Sequence, residues 1–212
     1  EKTTSVQTIM NATGKSIDEV NGYLDKLMWF SDETSYGFTD MTKAIATMTA
    51  KGGDIDTLIP MVTGVANAVA FAGKSASEFS QIMEYSVNQA YGAGYMGLQD
   101  WKTIQSRGVG SKQLIEQFIA AGEALGTIKE GEVTLANFSE TLSDRWLNTQ
   151  VMERAFGYFG EMTEKAYELI EAGQFDTATE AYAYLATQYD TVSMKAAKAA
   201  QEAKTFQEAI DA

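Results

Sequence analysis

The stretch "LIPMVTGVANAVAFAG", residues 58–73, decides the fold of this chain. It is apolar nearly all round, and Pro60 suits the first turn of a helix, where its missing N–H is not needed. A membrane span needs about 20 apolar residues, whereas this run is shorter and is interrupted by Thr63, Gly64 and Asn67. The stretch therefore predicts a buried central helix, packed closely through its Gly and Ala positions, and no membrane span.

Amphipathic helices are predicted on both sides of this stretch. Ser16 with Glu19, and Ser75 with Glu78, have the capping-box spacing, in which the two side chains satisfy backbone N–H groups at the start of a helix. Apolar residues recur behind each cap at helical spacing. A further helix opens near residue 39 and ends at Gly52. Each of these helices is predicted to face a common core.

Downstream, the pattern again favours helices. A short helix is predicted over residues 98–105, Ser111 caps the next one, and a long helix runs from Thr149 to about Ala172, where Gly173 stops it. Residues 125–134 carry β-branched residues around a Gly turn and are the only plausible hairpin, too short to change the fold class. The sequence therefore predicts an all-α chain, a compact multi-helix bundle around the buried apolar central helix.

The C-terminal segment, residues 176–212, is predicted to be helical and extended. Its last helix has a thin apolar stripe of alanines with Met194, Phe206 and Ile210. Such a stripe buries little area per residue, so the helix either packs by close Ala contact or pairs with a partner. We expect a globular helical domain over residues 1–175 and a helical appendage over residues 176–212 that leads into the rest of a longer protein, with a homo-oligomer through this helix.

Composition excludes several kinds of chemistry. The 212 residues carry a formal net charge of −13 and include neither His nor Cys. Ser-His-Asp and Cys-His catalysis are therefore excluded, and zinc and redox-metal sites lose their usual ligands. An acidic surface repels phosphate backbones, so direct nucleic-acid binding is not predicted. The sequence predicts no catalytic residue, no cofactor and no metal site.

One short motif points toward a nucleotide. "YGAGYMGLQDW", residues 91–101, contains Gly92, Gly94 and Gly97 in the G-x-G-x-x-G spacing. That motif binds a dinucleotide when a buried strand leads into it and a helix leaves it. Here the preceding residues have a helix cap and helical spacing, so a helix leads into it. Gly92 and Gly94 are interpreted as a helix stop and a turn, and Gly97 as a hinge before the next short helix.

A longer signature surrounds these glycines. It consists of a Gly-x-Ala-Asn-Ala segment, a Gly-x-Ser followed by Glu-Phe, a Gln-Ala pair, a glycine-rich turn and an Asp-Trp pair. The residues that carry it are Gly64, Ala66, Asn67, Ala68, Gly73, Ser75, Glu78, Phe79, Gln89, Ala90, Asp100 and Trp101. In this order and spacing, residues 64–104 resemble the tape measure domain of long-tailed bacteriophages and their prophage relatives. Residues 34–56 and the "ANFSETLSDRWLNTQVM" of residues 136–152 are also similar to it, so the resemblance spans about residues 17–209.

The resemblance implies a structural, non-enzymatic viral protein. Tape measure proteins occupy the lumen of the growing tail tube, set its length and are expelled ahead of the genome at infection. The ruler is usually a long helical region elsewhere in the chain, so this segment would be a folded module acting in tail assembly, length determination and genome delivery. The implied partners are the tail tube, the distal tail or tip complex and the assembly chaperones. The implied location is the virion, in the tail tube lumen or at the tail tip, with the host cytoplasm during assembly.

Other functions stay open at this point. Some tape measure proteins cleave peptidoglycan, which needs a Glu general acid in an apolar pocket. Glu78 and Glu116 both lie near apolar helix faces, but a capping and a solvated carboxylate are the favoured interpretations. A helical adaptor or effector unrelated to phage is a second alternative, and a membrane-perturbing module that exposes residues 58–73 is a third.

Aromatic residues supply candidate anchors for a protein partner. Core packing is the default interpretation for three of the four aromatics Trp29, Phe30, Trp101 and Trp146, and Trp29–Phe30, at the end of the first strong helix, is the leading candidate for an exposed pair. Trp101 and Trp146 are expected to lie in the core.

Overall fold

Helices joined by turns make up the chain in the computed structural model, which describes residues 2–212 and the side chains from residue 4 onward. No strand occurs in that range, so the predicted all-α class is confirmed. In chain order the elements are α1 (Lys2–Thr13), α2 (Ile17–Glu33), α3 (Phe38–Ala50), α4 (Ile55–Phe71), α5 (Ala76–Ile82), a π-helical stretch (Met83–Val87), α6 (Asn88–Ala93), α7 (Leu98–Ser106), α8 (Lys112–Leu125), α9 (Phe138–Thr141), a 3₁₀ turn (Leu142–Asp144), α10 (Thr149–Glu171), α11 (Ala178–Ala186) and α12 (Val192–Asp211).

The central helix of the fold is α4. All of residues 61–70 are buried, because α10, α12 and α3 pack around this helix. A helix surrounded on all sides must be apolar all round, which is the pattern of residues 58–73. The most extensive contact between two helices of the described chain is the one that α4 makes with α10.

The start of α4 differs from the sequence prediction. The helix begins at Ile55, and the Asp54 side chain caps it by accepting a hydrogen bond from the N–H of Asp56 at 3.0 Å. Pro60 therefore lies in the second turn instead of the first. The earlier start is favourable because it buries Ile55 completely and satisfies an N-terminal backbone donor.

Backbone-to-backbone approach defines the contact between α4 and α10. A Cβ added to Gly64 would collide with the Phe156 carbonyl group, at 2.7 Å from its carbon and 3.0 Å from the Gly160 nitrogen. A Cβ added to Gly160 would lie 3.0 Å from the Pro60 carbonyl carbon. The two helices therefore contact each other at a point where neither has a side chain. Both glycines are required by space, since neither has a positive φ.

Buried hydrogen bonds fix the same contact. The Asn67 amide nitrogen donates to the Phe159 carbonyl oxygen at 2.8 Å and to the Thr163 hydroxyl at 2.9 Å. The Tyr182 hydroxyl of α11 lies 3.3 Å from that Thr163 hydroxyl. Asn67, Thr163 and Tyr182 are all buried. They form a polar chain that specifies how α4, α10 and α11 are aligned.

Several predicted helix ends are confirmed. Both capping boxes are present, with the Ser16 and Ser75 N–H groups donating to Glu19 and Glu78 at 2.8 and 2.9 Å. Ser111 accepts from the Leu114 N–H at 3.1 Å and starts α8. These ends were predictable because capping depends on residues within one helical turn.

The predicted hairpin at residues 125–134 is wrong. These residues form turns, in which Gly126 and Gly131 have φ of 75° and 74°. The β-branched residues Ile128 and Val133 are buried in the core, with 8% and 3% of their surface exposed. Their apolar character therefore serves packing against the helices, where the sequence pattern suggested strand pairing.

The C-terminal helices α11 and α12 pack on the rest of the fold along most of their length. The α12 helix packs on α4 and α10, and Ala196 and Ala200 belong to the main core. Together with Met162 of α10, helices α11 and α12 form a smaller second core. Alanine permits this close approach because its side chain is short. Only the last turns of α12 project, since residues 205–212 are all exposed. The domain boundary at residue 175 stays a prediction.

Candidate functional site and docking surface

The glycine-rich stretch forms a joint between α6 and α7. Gly94 follows α6 with a φ of 90°, a left-handed conformation in which glycine commonly ends a helix. Gly97 is the extended residue before α7, and its N–H donates to the Asp100 carboxylate at 2.9 Å. The predicted turn and hinge are therefore where the sequence placed them. The helix α6 runs into the glycines, so the feeding strand of a dinucleotide site does not occur in the described chain.

Gly92 has a different role from the predicted helix stop. It lies inside α6, next to the Lys51 side chain, whose ammonium donates to the Asn88 carbonyl oxygen at 3.0 Å. A Cβ at this position would lie 3.0 Å from Cε of Lys51. The glycine therefore leaves room for a lysine from the end of α3 to reach the α6 backbone. This contact joins residues far apart in sequence, and spacing alone could not indicate it.

The joint is attached to the start of α10 by two backbone hydrogen bonds. The Met96 N–H donates to the Leu147 carbonyl oxygen at 2.7 Å, and the Thr149 N–H donates to that of Gly94 at 3.1 Å. Asn148, between them, caps α10 by accepting from the Val151 N–H at 3.0 Å. The joint therefore positions α10, the main partner of α4.

The Asp-Trp pair of the signature is structural. Asp100 closes the start of α7, and Trp101 is fully buried. The Trp101 ring lies edge-on to Phe138 and Phe118, at centroid distances of 4.9 and 6.1 Å. Trp146 extends the same aromatic cluster, at 5.9 Å from Phe138. The predicted core positions of Trp101 and Trp146 are confirmed.

The candidate for an exposed aromatic pair, Trp29–Phe30, is not exposed. Phe30 is 1% exposed, and its ring lies 6.3 Å from that of Tyr36. Trp29 is partly buried against the Tyr167 ring at 5.3 Å and packs on both cores. Tyr167 of α10 covers Trp29, and that contact has no local sequence signal.

Neither candidate catalytic carboxylate has the surroundings of a general acid. Glu78 completes its capping box and also bonds the Ser75 hydroxyl, and these hydrogen bonds lower the pKa of the carboxyl. A general acid at neutral pH requires the opposite shift. Glu116 is exposed on α8 and pairs with Lys112 one turn earlier at 3.5 Å. Both carboxylates therefore have structural partners.

The carboxyl with the opposite shift was missed by sequence analysis. Glu164 of α10 lies against α2, where the Lys26 ammonium donates to its Oε2, and the two side chains are only 20% and 22% exposed. Its Oε1 has no hydrogen-bond partner among the described residues. Burial raises the pKa of Glu164 above its ordinary value, and the Lys26 ammonium opposes that rise. Lys26 is remote in sequence, so no motif marks the pair.

Glu164→Gln is expected to change how stability depends on pH. Because the pKa of Glu164 is raised in the folded state, the folded protein binds a proton at this carboxyl more tightly than the unfolded chain does. The contribution of Glu164 to the free energy of unfolding therefore becomes more favourable as pH falls toward 4.5. The difference in free energy of unfolding, wild type minus variant, should therefore grow between pH 7 and pH 5 in urea titrations. Glu161→Gln, an exposed change on the same helix, is the control for charge. A difference that shrinks toward acid pH contradicts this prediction.

Among the large apolar side chains that are described, the two with the highest exposed fractions lie near the end of α12. Phe206 and Ile210 are 70% and 62% exposed. Phe206 borders an open groove of about 440 Å³. The groove is lined by residues of α12, of the end of α4 and of the turn that follows α4, and by Ser35. These lining residues are Ser35, Ala70, Gly73, Lys74, Ser75, Ala199, Glu202, Ala203, Phe206 and Gln207. We call Ala203, Phe206, Ile210 and this groove the α12 surface.

The described residues contain neither a metal-binding cluster nor a helix that could span a membrane. Within residues 2–212 no three acidic side chains come together in a way that could hold a metal ion. In the same part of the chain, no helix combines the length and the apolar character needed to cross a membrane.

Comparison with known proteins gives no match. No family model, curated protein or solved structure matches the chain.

Proposed function

We propose that this chain is a folded, non-enzymatic module of a phage tail tape measure protein, acting in tail assembly, length determination and genome delivery. The observation that carries the proposal is where the signature residues lie. Apart from the exposed Gln89, they lie at positions of core packing or at helix ends in this fold.

Three parts of the signature support this argument. Gly64 and Asn67 form the close contact and the buried hydrogen bonds between α4 and α10. Ser75 and Glu78 cap α5. Trp101 fills the aromatic cluster. If the signature reflects a common fold, its residues should lie where helices pack and where helices begin and end. A chance likeness carries no such expectation. The signature is therefore a folding signature, and it favours a common structural role.

A structural role agrees with the surroundings of the polar groups. Of the two carboxylates that are candidates for peptidoglycan cleavage, Glu78 caps α5 and Glu116 forms a surface ion pair with Lys112. The net charge of −13 would keep the module from adhering to DNA that passes through the tail tube. The proposed partners are the tail tube, the distal tail or tip complex, the assembly chaperones and further copies of the chain through the C-terminal helix. The proposed location is the tail tube lumen or tail tip of the virion, and the host cytoplasm during assembly.

Purified tails test this proposal. In the phage or induced prophage that encodes the chain, mass spectrometry of gradient-purified tails should detect its peptides at a constant ratio to the tail tube protein. Cryo-electron microscopy of the same tails should show ordered helical density for this module in the lumen or near the tip. Tails that lack these peptides would exclude the tail function and favour the adaptor or effector alternative.

A peptidoglycan-release assay tests the non-enzymatic part. The chain is expected to release no muropeptides above background from purified peptidoglycan. The matched control is Glu78→Gln combined with Glu116→Gln, which keeps the α5 cap because glutamine also closes a capping box. Release by the wild type that disappears in this double variant would overturn the non-enzymatic assignment.

A further inference from the structure

An arginine occupies a backbone conformation that this chain otherwise gives to glycine. Arg145 has φ 58° and ψ 24°, the left-handed region, in which an L side chain crowds the backbone. The eight other described residues with a positive φ are all glycines. The Arg145 N–H donates to the Leu142 carbonyl oxygen at 3.1 Å and ends the 3₁₀ turn, a role that glycine would fill without strain. The reason for an arginine at this position therefore lies in its side chain.

The Arg145 side chain lies on a tyrosine ring. Its guanidinium carbon is 4.7 Å from the centroid of the Tyr95 ring. The backbone holds both residues in place, since Tyr95 pairs with Asn148 in an isolated antiparallel bridge and Trp146, next to Arg145, is buried in the aromatic cluster. A stacked guanidinium contacts the ring with its face and leaves the N–H groups of its edge free. The stack therefore fixes the guanidinium without satisfying its donors.

The donors of this guanidinium are unused within the described part of the chain. There the Arg145 side chain forms no hydrogen bond and no ion pair, although the protein has 29 Asp and Glu residues. A guanidinium has five N–H donors and does not lose its charge in a protein. Its planar fork matches the two oxygens of a carboxylate. A fixed guanidinium with open donors is therefore suited to bind a carboxylate of another molecule.

An open groove of about 330 Å³ surrounds this guanidinium, between the glycine-rich joint and the segment that leads to Arg145. Leu98, which is 42% exposed, gives the groove an apolar wall, and Ser139 and Ser143 add hydroxyl groups. Pockets for small molecules begin at about 300 Å³ and enclose most of their ligand. An open groove of this size therefore fits a few side chains of a protein segment better than it fits a small molecule.

We propose that this groove binds a segment of a partner protein, with an Asp or Glu side chain of that segment on the Arg145 guanidinium and a neighbouring apolar side chain on Leu98. Glu140 limits how acidic the segment can be, because its exposed carboxylate lies on the same groove. Asp144, next to Arg145, is also exposed. These two carboxylates would repel a run of acidic residues or a phosphate backbone. The segment therefore carries a single carboxylate flanked by uncharged residues.

Titration with short capped peptides, followed by heteronuclear NMR of the purified chain, tests the ligand. The probes are acetyl-Ala-Leu-Asp-Leu-Ala-amide and its analogues with Asn or Lys in place of Asp. The Asp peptide should shift the Arg145 Nε–H signal and the backbone amide signals of residues 95–98 and 139–145, with a Kd of about 1 mM. The Asn and Lys peptides should bind at least about 10-fold more weakly, because an amide offers the fork one oxygen and an ammonium is repelled. Signals that do not move up to about 10 mM Asp peptide, or equal affinity for the three peptides, overturn the proposal.

Arg145→Gly separates binding from a structural role of the stack. Glycine relieves the left-handed strain, so Tm should rise or fall by no more than about 2 °C while binding of the Asp peptide is lost. Arg154→Gln, which removes an exposed arginine that does not line the groove, is the matched charge control and should bind this peptide as the wild type does. A larger fall in Tm for Arg145→Gly, or peptide binding that survives the change, overturns the proposal. Neither test uses phage tails, so this inference and the proposed tail function can fail independently.

Discussion

Gly64→Ala is expected to lower the free energy of unfolding by about 3 kcal/mol or more. The added methyl would collide with the Phe156 carbonyl group of α10, at 2.7 Å from its carbon. The obstacle is backbone in the middle of a helix, so it cannot rotate away as a flexible side chain would. Alanine favours a helix by about 1 kcal/mol over glycine, which offsets only part of this cost. Urea denaturation followed by circular dichroism measures the loss.

Gly157→Ala is the matched control for this change. Gly157 lies in α10 one turn from the contact, and a Cβ there meets no described atom within 4 Å. Because only the helix preference changes, we expect this variant to be as stable as the wild type or more stable by about 0.5–1 kcal/mol. If both alanine variants are equally stable, the backbone contact between α4 and α10 is wrong.

Asn67→Asp is expected to lower the free energy of unfolding by about 3–5 kcal/mol at neutral pH. The change is nearly isosteric, but it replaces an amide that donates two hydrogen bonds by a charged group that can only accept. The new carboxylate would face the Phe159 carbonyl oxygen, which lies 2.8 Å from the present amide nitrogen, in a fully buried position. Acid pH should reduce the loss, because a protonated carboxyl can donate again.

Asn11→Asp controls for the added negative charge. Asn11 is exposed on α1 and accepts a hydrogen bond from Gln7 at 2.8 Å, which an aspartate can also accept. We expect a change within about 0.5 kcal/mol. Equal losses at positions 11 and 67, or a loss at 67 that does not depend on pH, would falsify the proposed donor role of Asn67.

The two predictions concern residues of one short segment of α4, which forms the contact with α10. Gly64 allows α10 to approach, and Asn67 fixes the alignment once it has approached. Substituting either residue removes a different part of the same contact.

Local features were the predictable part of the fold. The caps at Ser16, Ser75 and Ser111, the helix stop at Gly173 and the turn at Gly94 all depend on residues within about one helical turn. The buried position of α4 was also predictable, because an apolar run too short for a membrane has to be covered by protein. Glu78 was recognisable as a cap for the same local reason.

Most of the interpretations that differed, apart from the start of α4, depended on distant residues. Ile128 and Val133 resembled strand residues but are covered by helices. Phe30 was a candidate for exposure but lies in the core, and the packing of the beginning of α12 on α4 had no local signal. The pair of Lys26 and Glu164 gave no signal. In each case the deciding partner lies far away in the sequence.

The sequence by itself determined the helical class, most of the helix ends, the central helix and the absence of His and Cys chemistry. Periodicity, capping and composition are properties of neighbouring residues or of the whole list, so they can be evaluated without coordinates. The tertiary structure alone decided which glycines are required by the space between helices and which carboxyl is buried beside a lysine. It also decided which turns of α12 are covered by the rest of the fold and which are exposed. Those properties depend on which helices contact each other. Helices of similar amphipathic pattern can pack in several arrangements, and close backbone contacts such as that of Gly64 with Gly160 favour one arrangement over the others.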